Sequence, residues 1–178
     1  TRAASAQAPA GSPERGPIAT ADLSLDSVRK ELAEALLVRK DTIQVFGDET
    51  VGHYAQWLNV PSSRLFKINA MSPHQVLRQK QKLRLDFSKT TPGEFQKKRL
   101  EHHMACIENF VRQNNLDALL NYRLGHGETL LSVAQNQYKV PPRLVLYFNP
   151  LRNLNNLPPG SVIRIPVSRS QLASRQSS

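Results

Sequence analysis

Val140-Pro141-Pro142-Arg143-Leu144-Val145-Leu146-Tyr147-Phe148-Asn149 lies 80 residues after Val60-Pro61-Ser62-Ser63-Arg64-Leu65-Phe66-Lys67-Ile68-Asn69. Both stretches open on Val-Pro and close on Asn. The same offset pairs Leu83-Arg84-Leu85 with Ile163-Arg164-Ile165, two short alternating segments. Upstream the offset falls to 79, pairing Glu49-Thr50-Val51 with Glu128-Thr129-Leu130 and Ala55-Gln56 with Ala134-Gln135. The chain therefore contains an internal repeat, and one residue is inserted near the end of the first helix of the second copy.

Each copy has the same physical grammar. A short alternating segment (Ile43, Val45; Tyr122, Leu124) leads into a turn. Thr50 or Thr129 then caps a helix whose apolar positions are Val51, Tyr54, Ala55 and Leu58, or Leu130, Val133 and Ala134. Val-Pro opens a second short helix, because proline suits a first helical turn. A loop leads on to the closing strand. The order is strand, helix, helix, strand in about 45 residues. The fold class expected is α+β: two small βααβ units at 41–87 and 119–167.

Between the units, residues 88–118 carry a long helix from about Pro92 to Asn114. Thr91-Pro92 with Glu94 supplies its start and Asn114-Asn115 its stop. Ahead of the first unit, residues 22–40 form another helix. Leu25, Val28, Leu32 and Leu36 line one face, Ser24 is its cap, and Arg39-Lys40 complements its C-terminal dipole. Residues 1–21 hold almost no large apolar side chain and read as a disordered leader; residues 168–178 read as a flexible tail.

The 178 residues carry 24 Lys and Arg against 14 Asp and Glu, a net charge of +10. Such a balance suits nucleic acids, anionic wall polymers and acidic lipid surfaces alike. Aromatic residues are only 6% of the chain, leaving little on which to stack bases. No apolar stretch approaches the roughly 20 residues of a membrane span, so no span is expected. The N-terminal Thr1-Arg2-Ala3-Ala4-Ser5 lacks the apolar core of a signal peptide and reads as the start of a mature exported chain or a cut one. The single cysteine, Cys106, forbids an intrachain disulfide and cannot form a zinc site alone. Beside an apolar helical face it reads as a small buried hydrophobe.

Tyr122-Arg123-Leu124-Gly125-His126-Gly127-Glu128-Thr129-Leu130, with Val140-Pro141, Asn149-Pro150 and Leu157-Pro158-Pro159-Gly160-Ser161-Val162-Ile163-Arg164-Ile165-Pro166, resembles a LysM (lysin motif) repeat. The first copy resembles it more distantly. It keeps Glu49-Thr50, Ala55, Trp57, Val60-Pro61 and Asn69, but has Asp48 for Gly127, Lys80 for Gly160 and Asp86 for Pro166. Phe95, Arg99 and His103, each four residues apart on the helix between the copies, share one face, expected to pack between the units with Arg99 and His103 meeting polar groups instead of metal; they are similar to a connector of bacterial tandem-LysM proteins.

The resemblance implies binding of N-acetylglucosamine polymers, chiefly peptidoglycan and chitin, in a shallow groove; the function expected is non-catalytic peptidoglycan binding. In the second copy one wall would be Gly127, Glu128, Thr129 and Leu130, and the other Asn149, Pro150 and Leu151. In the first copy the counterparts are Asp48, Glu49, Thr50 and Val51, facing Asn69, Ala70 and Met71. Backbone donors at a helix-starting turn suit an N-acetyl group, and glycine at 127 admits close approach. The implied setting is the periplasm or cell wall, where the chain would anchor or position a larger envelope assembly or a partner, or target a catalytic domain. No cofactor is expected.

Plainer roles stand beside these. Thr50 and Thr129 suit helix caps, Asn69 and Asn149 suit helix stops, and Trp57 suits a core. His102 and His103 are adjacent on a helix and point about a hundred degrees apart, so they do not share a metal; no metal site is expected. Glycan cleavage needs two positioned carboxylates, and the acids here are scattered, so no enzyme is expected. A scaffold making protein contacts through the units is the alternative function, and a basic nucleic-acid binder is the less favoured one.

Overall fold

The computed structural model describes residues 14–154 and 156–176 as a mixed α+β chain. Its elements run β1 Gly16–Asp22, α1 Leu25–Ala35, β2 Thr42–Gln44, α2 Val51–Leu58, α3 Ser62–Ile68, β3 Lys82–Arg84, α4 Pro92–Gln113, β4 Ala118–Arg123, a π-helical segment Ser132–Gln137, α5 Pro142–Phe148, β5 Val162–Val167 and α6 Arg169–Gln176. The strands form two antiparallel sheets, β2-β3 and β1-β4-β5. No helix among the described residues is long and apolar enough to cross a membrane.

The repeat survives in the register. Ile43 faces Leu83 in the first sheet, and the equivalent Tyr122 faces Ile163 in the second. The inserted residue has a definite address. In the first copy the Val60 N–H donates to the Ala55 carbonyl at 3.0 Å; in the second, Val140 donates to the equivalent Ala134 at 2.8 Å across one residue more. The extra residue is absorbed as a π-helical turn, the usual way a helix takes an insertion without rotating the face beyond it. Both helices then end on a left-handed residue, Asn59 at φ 56° and Lys139 at φ 59°.

Each unit has its own apolar core. Ile43, Val51, Tyr54, Leu58, Leu65 and Leu83 fill the first. Leu120, Val133, Val145, Phe148, Ile163 and Ile165 lead the second, which α1 and its C-cap complete with Val28, Leu32 and Leu36. Helix α4, about 33 Å long at 1.5 Å per residue, serves both: Phe95 enters the first core, Met104 and Ile107 the second. Phe46, from the first unit's turn, crosses into the second core. Helix α4 and Phe46 thereby join the two clusters.

The seam also carries a buried charge network. Glu49 accepts from Arg99 Nε at 2.5 Å and Nη2 at 2.7 Å, and from His103 Nε2 at 2.8 Å. Two further guanidinium donors reach the carbonyls of Leu36 (3.1 Å) and Gln44 (2.7 Å). His103 Nδ1 lies 3.1 Å from the Tyr147 hydroxyl of the second unit. The expected shared face of Phe95, Arg99 and His103 is thus real: it packs between the units, and its polar members meet polar partners.

Four sequence expectations need correction. Within the expected leader 1–21, residues 1–13 lie outside the described residues, but 16–22 form β1, paired along β4 with an irregularity between Pro17 and Ala19. Its side chains are nearly all exposed, so no hydrophobic pattern announces it; it is recruited by the open edge of β4. The expected tail is helical over α6: Leu172 packs on the second core, and Arg169 is held by Asp117 and Asp22. Helix α1 ends at Ala35 with no basic residue in its last turn, so Arg39 and Lys40 do not serve its dipole; Lys40 instead occupies a turn at φ 60°. Cys106 is exposed, because it faces the cleft between the units and not either core.

Burial alone would push the Glu49 carboxyl up, but the hydrogen bonds and charges of Arg99 and His103 outweigh it and hold the group down at about 2, against 4.5 for an ordinary glutamate. This lowered value stabilises the fold above pH 4.5 and the contribution is lost as pH falls toward 2. Glu49→Ala, which leaves Arg99 buried and uncompensated, is expected to cost about 3–5 kcal/mol in urea unfolding at neutral pH. The same variant should have a flatter stability profile than the parent between pH 4.5 and about 2.

Candidate functional site

The expected glycan-binding turns are built alike, and the shared glutamate is the reason. In the first unit, Phe46 N–H donates to Glu49 Oε2 at 2.8 Å; in the second, the equivalent Gly125 N–H donates to Glu128 Oε2, also at 2.8 Å. A tyrosine hydroxyl completes each, Tyr54 on Glu49 and Tyr122 on Glu128, the latter at 2.9 Å. A carboxylate that accepts backbone and phenol donors ties its turn closed. Burial pushes Glu128 up, but the Gly125, Tyr122 and Gln137 hydrogen bonds and the Arg15 charge hold its carboxyl below the usual range.

Thr50 and Thr129 cap the helices that follow. Thr50 Oγ1 accepts from His53 N–H at 3.2 Å, while His53 Nδ1 accepts from Thr50 N–H at 3.2 Å, a closed capping box. Thr129 and Ser132 exchange the same two bonds at 2.9 and 3.1 Å. The helix-ending asparagines are also structural. Asn149 Nδ2 donates to the Val145 and Arg164 carbonyls at 2.8 Å each, and its Oδ1 accepts from Arg164 N–H at 2.9 Å. Asn69 does the same with Leu65 and Arg84. Each asparagine fastens a helix end to the closing strand of its unit.

These findings redistribute the candidate residues. Glu49, Val51, Asn149 and Pro150 are buried, so their side chains are withheld from any ligand. Glu128, Leu130, Asn69 and Met71 are half-buried, the first and third with their polar atoms engaged internally. Asp48, Thr50, Ala70, Gly127, Thr129 and Leu151 are exposed. Correction of the expectation is sharpest at Glu49 and Asn149, whose polar groups are consumed by the fold that displays them.

The two turns also face different surroundings. Asp48 looks across at Arg143, 3.9 Å away, and the Phe46 and Tyr147 rings lie 5.7 Å apart. The first turn therefore borders a cleft of about 400 Å³ between the units, shared with His53, His102, Cys106 and Tyr147. The second turn faces outward. Gly127 adopts φ +76°, with open space where a Cβ would stand. Beyond Asn149, Leu151 is 57% exposed and borders a cavity of about 300 Å³ with Glu31, Arg152 and Arg164. The Gly127–Leu130 turn is not among that cavity's walls.

Arg15 was not anticipated. It lies 3.8 Å from Glu128 and against Gly125, where it partly shields the second turn from its leading side. Only a reading of β1 as a strand could have placed it there. Among the described residues no group of three or more His, Cys, Asp or Glu is arranged to hold a metal ion. Comparison with protein-family models and with curated proteins finds no match to this chain.

The asparagine pins give a direct test of the construction. Asn149→Ala leaves the Arg164 N–H and two carbonyls without their partner and should cost about 2–3 kcal/mol in thermal or urea unfolding. Asn69→Ala, at a more exposed position, should cost less. Equal losses would mean that burial does not set the strength of the pin.

Proposed function

We propose that this chain is a tandem LysM protein of the bacterial envelope, two LysM modules joined by a long helix, which binds peptidoglycan without cleaving it. The second unit is the glycan-binding one. Gly127, Thr129, Leu130 and Leu151 offer the N-acetylglucosamine strand exposed backbone and apolar surface, with Glu128 holding the turn. The first unit, with Asp48, Thr50, Ala70 and Met71 at its surface, is the orienting partner. The protein works in the periplasm or on the cell wall, positioning a larger assembly.

The observation that carries this reading is the division of labour within the repeat. Its polar side chains are spent on locking turns and helix ends, which leaves main chain and aliphatic groups at the second turn to meet a ligand. Such a surface suits an uncharged N-acetyl group better than a polyanion. Non-catalysis is supported by the carboxylates: Glu49 and Glu128 are both held ionised by donors, whereas a glycosidase's general acid must stay protonated. A scaffold role is favoured for the first unit by its turn, which already makes a protein contact with Arg143 and Tyr147.

Sedimentation with purified sacculi tests the reading. The full chain should pellet with sacculi at low and high salt and release no soluble fragments. Gly127→Asp should weaken binding roughly tenfold, the loss of one good contact, while Asp48→Gly should change it little. An aspartate at φ +76° meets no neighbour but carries about 1–2 kcal/mol of backbone strain, so the comparison uses variants whose melting matches the parent. A folded Gly127→Asp that binds as well as the parent removes the second unit as the site and leaves the scaffold role.

A further inference from the structure

From Arg64 to Leu85 the chain carries six lysines and arginines and no acidic residue. Two of the six are neutralised: Arg64 by Asp86 at 2.6 Å and Arg84 by Asp41 at 2.7 Å. Lys67, Arg78, Lys80 and Lys82 are exposed and make no ion pair among the described residues. Among these cations Val76 is 83% exposed, the most exposed large apolar side chain described. Val76, Arg78 and Lys80 lie on one loop and border one shallow concavity.

Lys80 stands at φ 63°, where the second unit has Gly160 at φ 85°. The backbone there favours glycine, and the first unit places a cation on it despite the steric cost. Its ammonium reaches to 3.5 Å from the Arg152 carbonyl, which brings the exposed Leu151 and Arg152 of the second unit beside the loop. The surface is therefore composite, aliphatic at its tips and cationic around them.

We infer that this surface docks on an anionic lipid bilayer, the Val76 loop entering the headgroup region and Arg78, Lys80 and Lys82 engaging the lipid phosphates. The chemistry selects among polyanions. A single-stranded nucleic acid needs aromatic faces, and the large hydrophobics exposed among the described residues are Ile18, Leu37, Val76, Leu131 and Leu151, none of them aromatic. A soluble phosphate polymer has nothing to offer Val76. A bilayer with acidic headgroups satisfies both the aliphatic tip and the cations, each of which adds about fivefold in affinity near the surface. This goes beyond glycan binding: Leu151 borders both surfaces, but none of Val76, Arg78, Lys80 and Lys82 is a glycan-binding residue.

The test is sedimentation of the full chain with vesicles of phosphatidylcholine alone and of a two-to-one mixture with phosphatidylglycerol. Binding is expected only to the mixture and should fall as salt is added. Arg78→Gln with Lys80→Asn, the asparagine chosen for its tolerance of positive φ, should weaken it roughly thirtyfold. Val76→Ser should weaken it several-fold without changing charge. All these positions are exposed, and sacculus binding by the same variants should match the parent, which separates this inference from the glycan reading. Binding to both vesicle types alike, no binding to either, or an undiminished double variant would overturn it. So would an unaffected Val76→Ser variant whose parent binds a single-stranded oligonucleotide as tightly as the mixed vesicles.

Discussion

A carboxylate without solvent must be neutralised, and Glu49 has almost none. Phe46 and Tyr54 of its own unit donate to it, but the neutralising guanidinium comes from outside: Arg99 and His103, one turn apart on α4, supply three donors between them. His103 places Nε2 against Glu49 and Nδ1 against the Tyr147 hydroxyl, so the chain of polar contacts runs from the first unit through α4 into the second. No buried side-chain nitrogen or oxygen among the described residues is left without a partner. Such a network is weak evidence for stability, since an apolar replacement of the same volume often does as well. It is strong on geometry, because α4 has only one rotation that brings both donors to the carboxylate while Phe95 fills the first core.

That constraint separates two turns of common design. Glu128 does in the second unit what Glu49 does in the first, accepting one backbone N–H and one tyrosine hydroxyl. Its cationic partner is Arg15, mostly exposed and 3.8 Å away, in place of a buried guanidinium at 2.5 Å. The first turn is consequently drawn into the seam, with Phe46 in the neighbouring core and Asp48 opposite Arg143. The second stays at the surface. Which turn lies in the seam and which at the surface follows from which glutamate α4 has claimed.

The surface properties divide in a similar way. The outward turn of the second unit is nearly free of unpaired charge, whereas the loop before β3 in the first unit concentrates cations around an exposed valine. A glycan contact built from backbone and leucine is insensitive to ionic strength; a cationic loop is not.

Periodicity and repetition alone determined much of this protein. The repeat located β2, β3, β4 and β5 and the paired short helices, because their apolar faces recur at fixed spacing. It also revealed the inserted residue, which the fold expresses as a π-helical turn. The Thr91–Glu94 capping box and the Phe95-Arg99-His103 face were legible for the same local reason. What the linear pattern concealed depends on contacts distant in the chain. β1 exists because β4 has an open edge, and α6 because Leu172 finds the second core and Arg169 finds Asp117; neither has enough internal periodicity to declare itself. Most of all, Glu49 and Glu128 are indistinguishable in sequence, since each sits in the same Glu-Thr turn. Only the tertiary structure decided that one is a buried counter-ion and the other part of an outward-facing turn, because Arg99 and His103 lie about 50 residues from Glu49 and can reach only one of the two.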